Sequence, residues 1–252
     1  MKTTGLITRR RAIVAGLASI GGLVAARMPR ELPPSYGNLL RMGDTLTYAA
    51  HRALLPANSL VREYGVGDLT SFPATGTTNP AVSVKSPLGD EYRRQQAGAF
   101  ADWRLTVEGR VARPHSFSLA ELKQLPSRTQ ITRHTCEEGW TAIGQWTGVP
   151  LSRVLDAVSI LPSARFVVLH TVDDWVDSLD MIDALHPQTI LAYGMNGGDL
   201  PIAHGAPVRL RLERQMGYKS LKYVRRVVVA DEFDDGGMSG SIQNGWAWYT
   251  GI

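Results

Sequence analysis

One cysteine, Cys136, stands in the stretch RHTCEEGWTAIGQWTGVPL, with Arg133 and His134 before it and Glu137 and Glu138 after it. A lone thiol can be an inert small hydrophobe, a nucleophile or a ligand for a soft metal. The inert role calls for an apolar run, and this one is charged. A nucleophile needs a base; in an extended segment His134 projects to the same face as Cys136, two residues on. A ligand role needs copper, zinc or another thiophilic centre. A blue-copper site would want a histidine and a methionine soon after the cysteine, and the next are His170 and Met181. That spacing speaks against copper.

A second set of reactive side chains lies in AHGAPVRLRLERQMGYKSLKYVRR, residues 203–226. Val208, Leu210 and Leu212 alternate with Arg209, Arg211 and Glu213, so both arginines share one strand face. The glycine-containing turn QMGYK follows, then Ser220 and Lys222. His204, Arg209, Ser220 and Lys222 can converge on one anion, because a guanidinium fork and the N–H groups of a turn both suit phosphate. The alternative is a solvated basic face. Other chemistries find little footing. No G-x-S-x-G occurs, GGMSGS around Ser239 is a glycine-rich turn, and no H-E-x-x-H, P-loop or dinucleotide fingerprint is present.

The chain of 252 residues is 44% hydrophobic and 20% charged, as soluble globular proteins are. One cysteine excludes an intramolecular disulfide and any zinc site built from several thiolates. Residues 1–26 hold Lys2, Arg9, Arg10 and Arg11, four of the 27 basic residues, and no acid. The remainder balances 23 basic against 23 acidic residues, so it offers no electrostatic footprint for nucleic acid. Arg10 and Arg11 precede an uncharged stretch, Ala12 to Ala26, too short for a membrane span. Residues 1–26 therefore read as a secretory signal of twin-arginine type, with Val24-Ala25-Ala26 offering small residues for cleavage. The expected location is the periplasm or another exported compartment, reached already folded.

Residues 27–98 read as an irregular arm, rich in Pro, Gly, Ser and Thr, with one helix around Leu39–Leu55. Residues 99–252 read as an α+β domain dominated by sheet. Leu105 and Val107 begin a hairpin that Glu108-Gly109 turns toward Val111. Ser118 and Glu121 form a capping box for a short helix ending before Pro126. Thr129–Thr135 alternates as a strand running into Cys136, and the glycine-rich residues that follow read as loop. Pro150 starts a helix with Val154, Leu155 and Val158 on one face. Arg165–Val172, Ile190–Tyr193, Val208–Leu212 and Lys222–Ala230 read as strands, and Asp180–Leu185 as a helix. Asn196-Gly197 is a hairpin turn expected to join the strands at 190 and 208.

Taken together, the Cys136 stretch and LAYGMNGGDLPIAHGAPVRLRLERQMGYKSLKYVRR resemble the sulfite-oxidase-like molybdopterin oxidoreductases. The likeness runs from about Leu60 to Ile252 and is greatest to the branch of the periplasmic methionine-sulfoxide reductase catalytic subunits. It implies a molybdenum-molybdopterin cofactor with Cys136 as the metal's protein ligand. The family's cofactor contacts fall on Asn79 in GTTNP, Thr171 in LHTVDDW, and His204 and Arg209 in HGAPVR. The remaining contacts fall on Ser220, Leu221 and Lys222 in YKSLK. The reductases carry asparagine where this chain has His204. Sulfite oxidases proper have C-x-G-N-R after the cysteine and a further C-terminal domain; C-E-E-G-W departs from that pattern, and no such domain is expected. The resemblance implies oxygen-atom transfer, as reduction of a small S-oxide or N-oxide. The alternatives are sulfite-type oxidation, or an electron-transfer or binding protein on the same fold. A single cysteine excludes a haem-binding C-x-x-C-H, so electrons come from a separate partner; the resemblance implies a membrane haem subunit.

Overall fold

The computed structural model describes residues 42–252. The expected signal at 1–26 and the first part of the arm lie outside the described residues. Two compact units are present. In the first, helix α1 (Met42–Leu54) associates with residues 249–251. There the Tyr48 and Tyr249 rings meet edge to face at 5.1 Å, and the Arg52 guanidinium lies over both.

The second unit spans residues 58–248 with Ile252. Its elements are α2 (Pro80–Ser83), α3 (Pro87–Ala97), β1 (Arg104–Gly109), β2 (His115–Ser118), α4 (Leu119–Gln124), β3 (Arg128–Thr135) and β4 (Thr141–Pro150). Then come α5 (Leu151–Val158), β5 (Phe166–Thr171), β6 (Val176–Asp180), α6 (Met181–Ala184), β7 (Ile190–Met195), β8 (Gly198–Asp199), β9 (Arg209–Arg211) and β10 (Val224–Ala230). One sheet has the order β2-β1-β10-β5-β6, with β10 parallel to β1 in the register Val107↔Val227. The other runs β3-β4-β7-β8, and β9 pairs β7. Leu105, Val107, Val167, Leu169, Val227 and Val229 point from the first sheet into one core. Leu151, Val154, Leu155 and Val158 of α5 meet them there, as do Val149, Leu191 and Leu210 of the second sheet. The expected α+β, sheet-dominated class is the one observed.

Several boundaries differ from the sequence reading, each for a physical reason. Residues 80–97, expected in an irregular arm, form α2 and α3; each opens with proline at its first position, after Asn79 and Ser86, where proline's missing N–H is no loss. The stretch after Cys136, expected as loop, is the ten-residue strand β4. Its glycines are close-approach positions: a Cβ on Gly148 would lie 2.3 Å from the Leu191 carbonyl oxygen, where β4 shifts register against β7. The hairpin from β1 returns at His115, not at Val111, which bridges Ile160 alone. The Asn196-Gly197 turn leads into the two-residue β8 instead of β9. The capping box is as expected: Ser118 Oγ accepts from the Glu121 N–H at 3.1 Å, and Glu121 Oε2 from the Ser118 N–H at 2.7 Å.

Candidate active site

β3 delivers Cys136 to its end, where a tight loop takes over. The Cys136 N–H donates to the Trp140 carbonyl at 2.9 Å and the Gly139 N–H to the Cys136 carbonyl at 3.1 Å. Glycine suits position 139, whose φ is +89°. The thiol is 4% exposed and is pushed up to about 11, first by burial and further by the neighbouring glutamates. Its Sγ reaches Glu137 Oε2 at 3.5 Å. A protonated, buried thiol is a poor nucleophile. The base expected for it is committed elsewhere: His134 Nδ1 takes a hydrogen bond from Arg211 at 2.9 Å, and burial lowers this imidazole to about 2. A cation such as a metal would reverse the logic, because it stabilises the thiolate outright.

Cys136 lines a cavity of about 310 Å³. Of the other expected contacts, Thr171, His204, Arg209, Ser220, Leu221 and Lys222 line it too. Asn79 does not; it caps α2, its Oδ1 accepting from the Ala81 N–H at 3.1 Å. Thr171 Oγ1 donates to Asp173 at 2.6 Å, which braces the loop carrying Trp175. Ser220 Oγ accepts from the Leu212 N–H at 3.2 Å.

The cations in the cavity wall have unusual partners. Arg209 is 4% exposed and donates to the carbonyl oxygens of His204 at 3.0 Å and Ser220 at 2.7 Å, over the face of Trp146. Lys222 Nζ donates to the carbonyls of Thr75 at 2.8 Å, Ala203 at 3.1 Å and Thr77. Among the described residues neither has a carboxylate ligand. Burial, then the charge of Arg211, lowers Arg209 to about 9; burial, then Arg209, lowers Lys222 to about 8. His204 falls to about 4 through burial and then the charges of Arg209 and Lys222. Such a cluster is stabilised by an anion, which removes the mutual repulsion of the cations.

The wall holds groups for which the sequence reading assigned no role. Phe72, Trp140, Trp175, Tyr218 and Trp246 give it aromatic surface. Trp175 Nε1 is buried and has no hydrogen-bond partner among the described residues. Trp140 and Trp175 fall inside motifs that are visible in the sequence. Phe72 and Trp246 arrive from distant, Gly- and Ser-containing segments and carry no local signal.

These residues fit a bulky anionic cofactor that brings its own metal donors. Among the described residues no group of three His, Cys, Asp or Glu side chains can hold a metal ion. One thiolate would therefore have to share a metal with other ligands, and the cations suit a phosphate. The model for the oxidoreductase molybdopterin-binding domain matches residues 93–238. The chain belongs to this family of molybdopterin-dependent oxidoreductases. A protein of Azospira oryzae named as a protein-methionine-sulfoxide reductase subunit, YedZ1, is 40% identical over 71% of this chain and 66% of its own length. The protein-methionine-sulfoxide reductase catalytic subunit MsrP of Burkholderia mallei is 28% identical over 97% of this chain and 76% of its own. The MsrP of Xanthomonas axonopodis pv. citri is 36% identical over 67% of this chain and 54% of its own. The chain thus spans between about half and three quarters of the curated relatives it matches. The crystal structure of the sulfane dehydrogenase SoxCD from Paracoccus pantotrophus shares the fold, with a TM-score of 0.51 and 24% identity over 54% of this chain and 40% of that one. The resemblance read from the motifs is borne out, and the cofactor is molybdenum-molybdopterin.

Proposed function

We propose that the protein is an exported oxygen-atom transferase that reduces an S-oxide or N-oxide type substrate with electrons from a separate partner, a membrane haem subunit. The observation that carries this is the meeting of the only cysteine with buried Arg209 and half-buried Lys222 in one cavity, neither of them paired with a carboxylate among the described residues. The names of the Burkholderia and Xanthomonas relatives support S-oxide reduction, and Arg10 and Arg11 support export by the twin-arginine route.

When bound, molybdenum-molybdopterin supplies a two-electron centre that exchanges one oxygen atom with substrate. Cys136 would hold the metal as its thiolate. Arg209, Lys222 and Ser220 would hold the phosphate, with His204 beside them, neutral at physiological pH. Thr171, whose Oγ1 accepts from the Trp175 N–H at 2.9 Å, keeps Trp175 in the wall, and Leu221 lines the same cavity. Trp140, Tyr218 and Trp246 present apolar faces to the substrate's carbon groups and keep bulk water away from the thiolate. The overall reaction takes one S-oxide, two electrons and two protons to a sulfide and water.

The test is metal and pterin analysis of protein made in a host that synthesises molybdopterin, with turnover of several S-oxides and N-oxides driven by an artificial donor. Cys136→Ser should keep the fold and lose turnover entirely, because a hard hydroxyl replaces soft sulfur. Alkylation of Cys136 in the metal-free protein, and shielding in the loaded protein, should accompany this. An active serine variant, or rapid alkylation of fully metallated protein, would remove Cys136 from the metal. Turnover of sulfite with none of S-oxides would reverse the direction of the reaction.

A further inference from the structure

His134 lies two residues before Cys136, is 7% exposed and forms part of the cavity wall with Gly217. Its Nδ1 is 2.9 Å from Nη1 of Arg211. A guanidinium has five N–H donors and no acceptor, so Nδ1 must present its lone pair, and the ring proton then resides on Nε2. Arg211 has no alternative arrangement. Its Nε and Nη2 bind Glu213 Oε1 and Oε2 at 3.0 and 2.7 Å, and its Cζ lies 4.4 Å from the centre of the Trp146 ring. Glu213 is held in turn by Gln130 Nε2 at 3.0 Å.

The ring cannot easily turn over. Its centre is 5.2 Å from that of Phe72 and 5.4 Å from that of Trp140. Its free edge lies against Gly217, where a Cβ would come within 2.4 Å of Nε2 and 2.6 Å of Cε1. Among the described residues no protein acceptor pairs with Nε2. A directed N–H without a protein partner, in the wall of a cofactor cavity, is a group made for the occupant.

We infer that His134 is a tautomer-locked Nε2–H donor that hydrogen-bonds a lone pair of the cavity's occupant, either the pterin–dithiolene group or the S=O oxygen of a substrate. The identity of the occupant rests on the function proposed above; the tautomer does not. Gln130, Glu213 and Arg211 are positioning residues for this donor, and Gly217 leaves it room.

Three measurements test this. In cofactor-free protein labelled with 15N-histidine, the two-bond 15N–1H pattern of His134 should be that of the Nε2–H form; the Nδ1–H pattern would overturn the inference. In loaded protein, His134→Phe removes the donor, and His134→Gln restores an amide N–H while still accepting from Arg211. The phenylalanine variant should retain about tenfold less pterin or show an about tenfold higher KM, the usual worth of one hydrogen bond, and the glutamine variant should recover most of it. Loss of pterin assigns the donor to the cofactor; a raised KM at full pterin content assigns it to substrate. Unchanged pterin content and unchanged KM in a folded His134→Phe protein would overturn the contact. Should that variant not fold, Gly217→Ala supplies the same test by displacing the ring, with the same reading of pterin content and KM. A wild-type protein that takes up no pterin would sink the functional proposal and leave the tautomer measurement standing.

Discussion

Two pairs of cations lie between residues 209 and 222, all buried but for the half-buried Lys222, and they differ in what faces them. Arg211 is gripped by both carboxylate oxygens of Glu213, and Lys219 by Asp177, which also takes the hydroxyl of Ser241. Arg209 and Lys222, on the same strand and the same turn, hydrogen-bond only carbonyl oxygens among the described residues, and they line the cavity while the other pair does not. Burying a charge costs several kcal/mol unless an opposite charge offsets it. The first pair is offset within the protein and serves the fold. The second is left short of one anion, which in the function proposed above is the cofactor's phosphate. A buried cation's role is therefore decided by its partner and not by its type or depth.

The largest effect that could break this contrast belongs to the paired set. Glu213→Gln strips Arg211 of its counter-charge in the interior and should cost about 3–5 kcal/mol, a fall in Tm of roughly 10 °C, with or without cofactor. Thermal unfolding of both forms checks it; equal Tm values for variant and wild type would make Arg211 no different from Arg209. Next comes Arg209→Ala, which should weaken pterin retention about ten- to a hundredfold, as loss of one charge-assisted hydrogen bond does. The same change should leave cofactor-free stability equal or higher, and its effect should couple with that of Lys222→Met instead of adding. Full pterin content after dialysis would return both residues to an ordinary structural role.

A smaller effect is written in pH. The Lys222 ammonium is lowered from 10.5 to about 8 when the cavity holds no anion. Between those values the unfolded chain binds a proton that the folded chain has released. Cofactor-free stability should therefore rise with pH from about 8 to about 10.5, the penalty being fully present below 8. Arg209, lowered to about 9, acts in the same direction above that pH. Bound phosphate removes the depression, so loaded protein should show a flatter Tm profile; an identical slope in both forms would contradict the phosphate assignment. Lys222→Met should flatten the lower part of the cofactor-free profile. Smallest is Asn79→Ala. If Asn79 acts only as the cap of α2, this costs about 0.5–2 kcal/mol and leaves pterin content intact; lost pterin would make it a cofactor contact.

The strand alternation of Val208, Leu210 and Leu212 showed in advance that Arg209 and Arg211 share a face. It did not show which one is neutralised. Glu213 sits two residues beyond Arg211, so that clue was local; Asp177 reaches Lys219 from β6, and such a partner is invisible along the chain. Cys136 was legible by its solitude, but its setting was not. Gly144 and Gly148 looked like strand breakers because glycine's lack of a side chain has two uses, freedom in a loop and closeness in a sheet. Phe72, Trp175 and Trp246 enter the wall from three separate segments, and only tertiary folding could bring them together.

The position of β10 has a consequence for the order of events during synthesis. This strand fills the middle of its sheet, between β1 and β5, yet it is made of residues 224–230. Until it leaves the ribosome, β1 and β5 each wait with an open edge, a state prone to wrong pairing. Lys222 and Trp246 emerge in the same late window, so the nascent chain has half a cavity and nothing to grip. The cavity's wall is therefore complete only once residues 220–246 have been made.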